Sequence, residues 1–365
     1  MKAFKIFGVW VLAALGAVAC ARFFRNKILK KRFIGILAYH HITKNGLGPV
    51  SPVATLPGVF SRHVKVFSRV FRVLLMKDVC ALLKSGAEFD KDGLVFTFDD
   101  GYRDSFEEAA PLLEAAGIRG VFYITGVSFT PRALLWNDIV GEALVSLSLR
   151  DFGELELGPS GFKDLLRKTA LAHGKKKEFF IGQAFDLLFE EGPVSRQKIC
   201  DQLHRILIKN KTGINPSRIL MDPEEIKTLA LRGHEIGAHT LTHARLSKSG
   251  GTAKNEIVES VYVLRKNGLT VSSFAFPFGM DGDMDLSCRD TLRHAGISNA
   301  VTMKKNVVSS ASDLYFLPRI PVSPHHGASF ITAQFECMAW AQLARSLFHV
   351  FRPIKTAENL LVNVN

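Results

Sequence analysis

Two adjacent carboxylates at the end of a short apolar run are the first residues in this 365-residue chain that could do chemistry. Residues 94–98 predict a strand, and Asp99, Asp100 and Gly101 follow it directly. Successive residues of a strand point to opposite faces, so the two carboxylates are predicted to diverge and to serve different tasks. Gly101 permits the sharp turn that follows. Taken alone, the pair would more often mean that Asp100 caps the next helix.

Two histidines four residues apart give these carboxylates a partner. His239 and His243 come just after a second predicted strand, residues 235–238. If this segment turns helically, both imidazoles share a face and can bind one metal ion. Together with one carboxylate they leave coordination positions open, which catalysis by a metal requires.

A third strand end is aromatic and constrained by proline. It reads Phe276-Pro277-Phe278-Gly279. Its backbone could offer an N–H to an oxyanion, and its rings could stack on a sugar. Taken singly, such a segment is usually only a turn. Three features of this kind at the ends of three strands favour a single active site.

A repeating alternation of strands and helices must position these residues. Glycines follow several of the helical patterns, where they accept the left-handed conformation that ends a helix. Such alternation predicts a mostly parallel sheet with helices outside it, either a barrel or a doubly wound sheet. In both architectures, active sites form at the carboxyl ends of the strands. The predicted strands are residues 33–39, 94–98, 121–125, 235–238, 273–276 and 298–302.

One region interrupts the alternation. Residues 131–220 hold helical patterns but no clear strand, and we interpret them as a helical insertion. The insertion is either a lid over the active site or a decoration that shields one face of the fold. The barrel is assigned to residues 33–328. Residues 329–365 predict an amphipathic helix and a tail. The helix is expected to pack on the core, and contact with a membrane surface is the second interpretation.

Three motifs, in this order, resemble those of a known family. Residues 97–102, 239–243 and 276–279 are similar to the first three motifs of the polysaccharide deacetylases, carbohydrate esterase family 4 with its NodB-homology domain. The resemblance spans residues 33–322 apart from the insertion, and it implies a distorted (β/α) barrel with that insertion. It also implies a general base, Asp99, three metal ligands, Asp100, His239 and His243, and an oxyanion donor, the backbone N–H of Phe278.

Two departures from the family pattern concern the catalytic groups. Ala275 stands where the third motif commonly has an arginine that braces the catalytic aspartate. Arg319 ends a further and last predicted strand at Leu317-Pro318-Arg319-Ile320, and it is expected either to replace that arginine or to form only a structural ion pair. The family often has a late histidine as general acid, and no segment matches it here. His325 and His326 are the candidates, although they lie in a Ser-Pro loop.

Residues at the end of the first strand complete the predicted site. Tyr39-His40-His41 resembles a strand-end pair found in branches of the family, where the histidine lies near the active site. We therefore assign His40 to the site, whereas His41 is expected to face solvent. The predicted substrate contacts are Tyr102, Phe276 and Pro277.

Composition bounds the class of protein. The net charge of +13 and the pI near 9.6 are compatible with nucleic acid, anionic lipid or acidic polysaccharide, but no nucleic-acid-binding motif is present, so nucleic acid is not expected as a partner. The five cysteines are scattered without the pair spacings of zinc or redox motifs. They are expected to be ordinary buried thiols.

The N-terminus predicts a contact with a membrane. Residues 6–21 carry no charge and are flanked by lysines and arginines, so residues 1–32 are interpreted as a membrane anchor or an uncleaved signal with a basic flank. A cleaved signal peptide is the second interpretation and a lipoprotein at Cys20 the last. The expected location is the bacterial inner membrane, and the side that the catalytic domain faces stays open.

The expected function is hydrolysis with a divalent metal. The enzyme would remove an N-acyl group, by resemblance N-acetyl, from a sugar in a polysaccharide or glycan. Zinc is the first choice for a ligand set of two histidines and one aspartate, which also suits iron, cobalt or manganese. The alternatives are a deformylase or esterase that acts on a lipid-linked sugar, and a non-catalytic glycan-binding protein.

Overall fold

The fold is built on a closed barrel of seven parallel strands. A computed structural model describes residues 16–44, 54–131, 133–211, 218–248, 251–284 and 286–350. The barrel order is β1-β10-β9-β8-β7-β6-β5, and it closes because β1 also pairs with β5. The predicted (β/α) barrel is therefore confirmed. Its strands are β1 (Ile34–Tyr39), β5 (Gly93–Phe98), β6 (Val121–Ile124), β7 (Glu235–Ala238), β8 (Val271–Ala275), β9 (Asn299–Lys305) and β10 (Leu317–Pro321).

Three short strands lie outside the barrel ring and were not predicted. β4 (Arg72–Val73) extends the sheet beyond β5, and β2 (His41–Ile42) pairs with β3 (Ala54–Thr55). Each has only two residues. A segment that short shows no alternation of apolar and polar residues, so the sequence carries no signal for it.

The barrel strands are buried on both faces. Every residue of β1 and β5 is buried, because the barrel interior fills one face and the surrounding helices cover the other. This burial explains the nearly continuous apolar runs in the sequence. The strands pair in register over six residues, from Ile34 opposite Gly93 to Tyr39 opposite Phe98, so their carboxyl ends lie side by side.

Helices connect the strands, and glycines end several of them. Gly117, Gly233, Gly268 and Gly296 have φ between 70° and 87°, the left-handed conformation expected from the sequence. The connecting helices are Pro57–Val70, Met76–Ser85, Ala110–Ala115, Pro223–Leu231, Ala253–Lys266 and Leu286–His294.

Five helices lie in the described part of residues 131–220, the region between β6 and β7 that was interpreted as an insertion. They have an apolar cluster of their own, which includes Val140, Phe162, Leu188 and Leu203. The burial of these apolar side chains in a second core stabilises the fold of the helical segment. The helices are Trp136–Ser146, Leu149–Phe152, Phe162–Leu171, Gly174–Glu190 and Pro193–Lys209.

The two ends of the chain form a separate unit from the barrel unit Lys31–Ala328. Its described part contains the helix Ala17–Phe23, a wider helical turn Phe24–Ile28, and the helix Ala328–Val350. Arg25 forms a buried ion pair with Glu336, whose Oε1 lies 2.8 Å from the arginine Nη2. This ion pair links the helical turn Phe24–Ile28 to the helix Ala328–Val350.

The described residues give no membrane-spanning helix. Among them, no helix is both long enough and apolar enough to cross a bilayer. Residues 1–15 of the predicted anchor and residues 351–365 of the predicted C-terminal helix and tail lie outside the described residues. The expectation for the cysteines holds for Cys80, Cys200 and Cys288 and is wrong for Cys20 and Cys337, which are exposed on the terminal helices.

Candidate metal centre and active site

The predicted site residues come together at the carboxyl ends of the barrel strands. Asp99 and Asp100 follow β5, His239 follows β7, and Arg319 lies within β10. Asp100 has φ of 76° and Gly101 of 84°, so the chain turns sharply as soon as the strand ends. The turn separates the two carboxylates: one faces an arginine and the other faces two histidines.

Asp100, His239 and His243 form a compact ligand set. Asp100 Oδ1 lies 3.2 Å from Nε2 of each histidine, and all three side chains are buried. Their potential ligand atoms lie within 4.8 Å of one another. Asp100 Oδ1 nevertheless has no hydrogen-bond partner among the described residues. A buried carboxylate oxygen that faces two imidazole nitrogens without bonding to either fits a shared divalent cation.

Both imidazoles are fixed through their other nitrogen. His239 Nδ1 donates to the carbonyl oxygen of Ala275 at 2.8 Å, and His243 Nδ1 lies 3.1 Å from Asn137 Oδ1. These acceptors leave Nε2 of each ring free to ligate. Burial would raise the pKa of Asp100, but the neighbouring histidines hold that pKa well below its usual range. The carboxylate is therefore ionised, as a metal ligand must be.

The histidine segment is an irregular loop, so the expected helical turn is wrong. Thr240 and His243 have φ of 60° and 58°, which no α-helix contains. Glu256 explains the difference, because its carboxylate accepts hydrogen bonds from Thr242 N at 2.9 Å and Thr242 Oγ1 at 2.7 Å. These contacts, with Leu241 N bonded to the Glu256 carbonyl at 3.0 Å, take up the donors that a helix would use.

Arg319 holds Asp99 in a bidentate ion pair. Its Nη1 and Nη2 each lie 2.7 Å from a different carboxylate oxygen, and neither side chain is more than 2% exposed. The guanidinium also donates to Thr302 O and Thr97 Oγ1. Burial would raise the pKa of Asp99, but the charge and hydrogen bonds of Arg319 lower it below its ordinary value. Arg319 thus makes the contact that Ala275 cannot make.

A cavity of about 320 Å³ opens over these groups. Its walls include five residues that the sequence interpretation did not assign to the site: Asn137, Asp138, Phe185, Phe189 and Arg218. A larger cavity, of about 530 Å³, lies at the opposite ends of β7 and β8. It contains none of the predicted catalytic or ligand residues, so we assign the site to the smaller cavity.

The two histidines after β1 have different environments. His40 lines the cavity, and burial lowers its pKa against the opposing charges of Asp100 and Asp99. His41, expected to face solvent, is only 1% exposed. Its Nδ1 lies 2.8 Å from Asp104 Oδ2 and its ring stacks on Tyr102, with centroids 3.7 Å apart. The ion pair and the stacking contact account for its burial.

Of the predicted substrate contacts, only Tyr102 lines the cavity. Phe276 and Pro277 are buried away from it, which corrects the expectation that they bind sugar. The Phe276 ring packs between Phe274 and Phe316, with centroids 5.2 and 6.0 Å away, and so belongs to the core.

Phe278, the next aromatic residue, does line the cavity. It has φ of 61°, and its N–H has no acceptor among the described residues. The N–H is therefore available to an oxyanion.

His325, the candidate acid, is exposed and does not line the cavity. Its loop is fixed instead through His326, whose carbonyl oxygen lies 2.7 Å from His63 Nε2.

Two of the unassigned residues, Asp138 and Arg218, form a polar network with Tyr102 on one cavity wall. Asp138 accepts a hydrogen bond from Tyr102 OH at 2.9 Å and an ion pair from Arg218 Nη1 at 2.5 Å, and Arg218 also reaches Glu142. Burial raises the pKa of Asp138, although Arg218 opposes the shift. Asp138 and Arg218 are 80 residues apart in the chain, so no local pattern could have paired them.

Comparisons with known proteins find similarity to polysaccharide deacetylases. A family model described as polysaccharide deacetylase matches residues 180–300, which hold His239, His243 and the 276–279 turn. YxkH of Bacillus subtilis (strain 168), named as a candidate polysaccharide deacetylase, is 23% identical over 154 residues, or 41% of this chain and 53% of that protein. The chain thus spans about half the length of this curated relative.

Solved structures show the same fold. The Streptococcus pyogenes deacetylase PplD in complex with acetate is 15% identical, with a TM-score of 0.54 over 84% of this chain and 99% of that one. IcaB from Ammonifex degensii is 16% identical, with a TM-score of 0.52 over 85% of this chain and 97% of that one. The resemblance of this chain to the polysaccharide deacetylases is therefore confirmed.

Proposed function

We propose that the protein is a metal-dependent hydrolase that removes an N-acyl group, specifically N-acetyl, from a sugar of a glycan. The observation that carries the proposal is the convergence of Asp100, His239 and His243 beside an Asp99 that Arg319 holds in place. This arrangement lies at the strand ends of a barrel similar to known deacetylases. One of these, PplD, is in complex with acetate, the carboxylate that deacetylation releases.

The ligand set suggests which cofactor the site would hold. Asp100 and the Nε2 atoms of His239 and His243 would bind one divalent cation, and we propose zinc first, with iron, cobalt or manganese as alternatives. When bound, the cation would lower the pKa of a water molecule and polarise the acyl oxygen. The remaining chemistry falls to side chains and backbone of the chain itself.

Asp99 is proposed as the general base. Its lowered pKa keeps the carboxylate ionised at neutral pH, so it can accept the proton of the attacking water. The Phe278 N–H would donate a hydrogen bond to the developing oxyanion. The leaving sugar nitrogen would take up the proton that Asp99 accepted from the water, and His40 is proposed to contact that nitrogen, because it lines the cavity and, unlike His41, is not committed to a carboxylate.

The test is acetate release from a panel of N-acetylated glycans, with and without a chelator. Wild-type protein should release acetate only when metal is present. Asp99→Asn should retain the metal and lose turnover by about 10²–10⁴-fold, because the base is gone. His239→Ala should lose both metal and turnover, since one ligand is missing.

Two outcomes would contradict the proposal. Full activity in Asp99→Asn would remove Asp99 as the base. Metal binding without acetate release from any glycan would favour a non-catalytic glycan-binding protein. The two departures from the family pattern support that alternative, and the ion pair between Arg319 and Asp99 argues against the first of them. Formate or ester release would instead favour the deformylase or esterase alternative on a lipid-linked sugar.

We also propose that the N-terminal segment anchors the protein at the inner membrane. The support is the uncharged run of residues 6–21 with its basic flanks. Fractionation of the full chain tests this proposal: recovery in the membrane pellet after a high-salt wash is expected, and recovery in the supernatant would overturn it.

A further inference from the structure

We propose that Asn137 is a positioning residue of the metal centre, so that the helical segment between β6 and β7 completes a site whose ligands all come from the barrel. Asn137 belongs to the first turn of the helix Trp136–Ser146. The inference rests on the metal site of the proposed function, but not on the identity of the substrate.

The contact between Asn137 and His243 fixes the tautomer of the imidazole. Asn137 Oδ1 lies 3.1 Å from His243 Nδ1. An amide oxygen can only accept, so the contact places the ring proton on Nδ1 and leaves Nε2 as the lone-pair nitrogen. That nitrogen is the one that lies 3.2 Å from Asp100 Oδ1.

His239 shows what the barrel provides for its own ligand. Its Nδ1 donates to the Ala275 carbonyl oxygen at the end of β8, so backbone of the sheet fixes the ring. His243 lies further along the loop and has no such carbonyl partner among the described residues. A side chain from the helical segment takes that place, and the two ligands end in the same tautomer.

The neighbours of Asn137 hold the same turn in place. Trp136 Nε1 donates to the His243 carbonyl oxygen at 3.1 Å, which steadies a residue whose φ of 58° is unfavourable for a side chain with Cβ. Asp138 binds Tyr102 and Arg218. Three consecutive residues of one helical turn thus contact the site, and Asn137 is the one that reaches a proposed ligand ring.

The experiment compares metal binding in full-length variants. Asn137→Ala removes the acceptor, and Asn137→Asp keeps an oxygen at the same position. Val145→Ala is the matched control, because Val145 lies on the same helix and is 40% exposed. Zinc affinity is measured by competition with a chromogenic chelator, the visible spectrum is recorded after loading with Co²⁺, and the melting temperature is measured on metal-free protein.

We expect Asn137→Ala to weaken zinc binding by about 10–100-fold, the usual effect of losing a hydrogen bond to a metal-bound histidine. Its Co²⁺ spectrum should change, while Asn137→Asp and Val145→Ala should bind zinc within a few-fold of wild type. The metal-free melting temperature of Asn137→Ala should match that of Val145→Ala. Trp136→Phe, which loses the indole N–H and part of the buried ring but keeps Asn137, should weaken binding less than Asn137→Ala.

Two results would overturn the inference and are distinguishable. Zinc affinity and Co²⁺ spectrum unchanged in Asn137→Ala, with wild type binding one ion, would remove the role of Asn137 and leave the proposed function intact. Wild-type protein that binds no divalent ion would overturn both. Wild type that binds zinc, loses affinity on Asn137→Ala and releases no acetate would support this inference while the proposed function fails.

Discussion

The two walls of the active-site cavity are built in different ways. On the barrel side, the proposed catalytic and ligand groups stand at strand ends and are fixed largely by backbone or by a buried ion pair, as with His239 on Ala275 and Asp99 on Arg319. On the side of the helical segment, contacts run from side chain to side chain, as with Asn137 and Asp138. We therefore propose that the barrel carries the reactive groups and that the helical segment orients and encloses them.

This difference suggests how each wall should fail. Loss of a barrel group should remove chemistry or leave a buried charge without a partner. Loss of a side chain of the helical segment should change the orientation of a ligand ring, the affinity for metal or substrate, or the access of substrate to the cavity, while the catalytic groups remain. Substitutions at Arg319, Phe189 and Glu235 test that division, from the largest expected effect to the smallest.

Replacing Arg319 by Leu should have the largest effect. The change leaves the Asp99 carboxylate buried without its partner, and breaking a buried pair in this way costs about 3–5 kcal/mol of stability. It should also lower kcat by about 10²-fold or more, because the base loses its fixed position. Urea unfolding and acetate release measure the two effects.

The control for this prediction is Arg319→Lys. A lysine keeps the charge but cannot bind both oxygens of Asp99, so we expect most of the stability and only part of the activity. If Arg319→Leu unfolded at the same urea concentration as wild type, the ion pair would contribute nothing, and the contrast between the two walls would lose its main support.

A change on the other wall, Phe189→Ala, should act mainly on binding. The Phe189 ring meets Phe278 edge to face, with centroids 4.7 Å apart, and Arg245 lies 4.2 Å above it. Phe189 also lines the cavity, and we expect its ring to contribute about 0.5–1.5 kcal/mol to substrate binding, so KM should rise by about 2–12-fold while kcat changes little. Steady-state kinetics on the best glycan of the panel gives both constants.

Phe179→Ala on the same helix is the matched control. Phe179 is 61% exposed and does not line the cavity, so neither constant should change. A large fall in kcat for Phe189→Ala at constant KM would show instead that this wall takes part in the chemistry, and the division between orienting and reactive walls would be wrong.

The alternation of strands and helices predicted a mostly parallel sheet with helices outside it, either a barrel or a doubly wound sheet, and the family resemblance implied the barrel. Strands buried on both faces leave long apolar runs, and glycines in the left-handed conformation mark the helix ends. The structure then places Asp99, Asp100 and His239 at strand ends, which is where their order along the chain predicted them. Their catalytic and ligand roles stay predictions until the variants are measured.

The helical wall was beyond sequence interpretation for equally physical reasons. Asn137 meets His243 across 106 residues, and nothing around it marks a polar side chain in the first turn of an insertion helix. The left-handed conformation of Thr240 and His243 was also hidden, because neither is glycine. Phe276 shows the converse error: its aromatic ring suggested a sugar contact, but packing against Phe274 and Phe316 places it in the core.

The smallest effect is expected at Glu235, at the end of the barrel opposite the active site. Its Oε2 accepts from Lys77 N at 3.1 Å, but Oε1 has no hydrogen-bond partner among the described residues, and burial raises the pKa of Glu235 to about 7. The folded state thus holds a proton that the unfolded chain releases near pH 4.5. Stability from this group is present below that pH and is lost as the pH rises through about 7.

Glu235→Gln should remove this loss, because the amide does not ionise. Compared with wild type, the variant should melt about 2–4 °C higher at pH 8 and show little gain at pH 5, which corresponds to ~1 kcal/mol for a domain of this size. Acetate release should be unchanged, since the catalytic groups lie at the other ends of the strands. Equal shifts at both pH values would mean that packing, not ionisation, explains the effect. A loss of activity would show that the two ends of the barrel are coupled. The barrel wall would then not hold the catalytic groups independently of its opposite end.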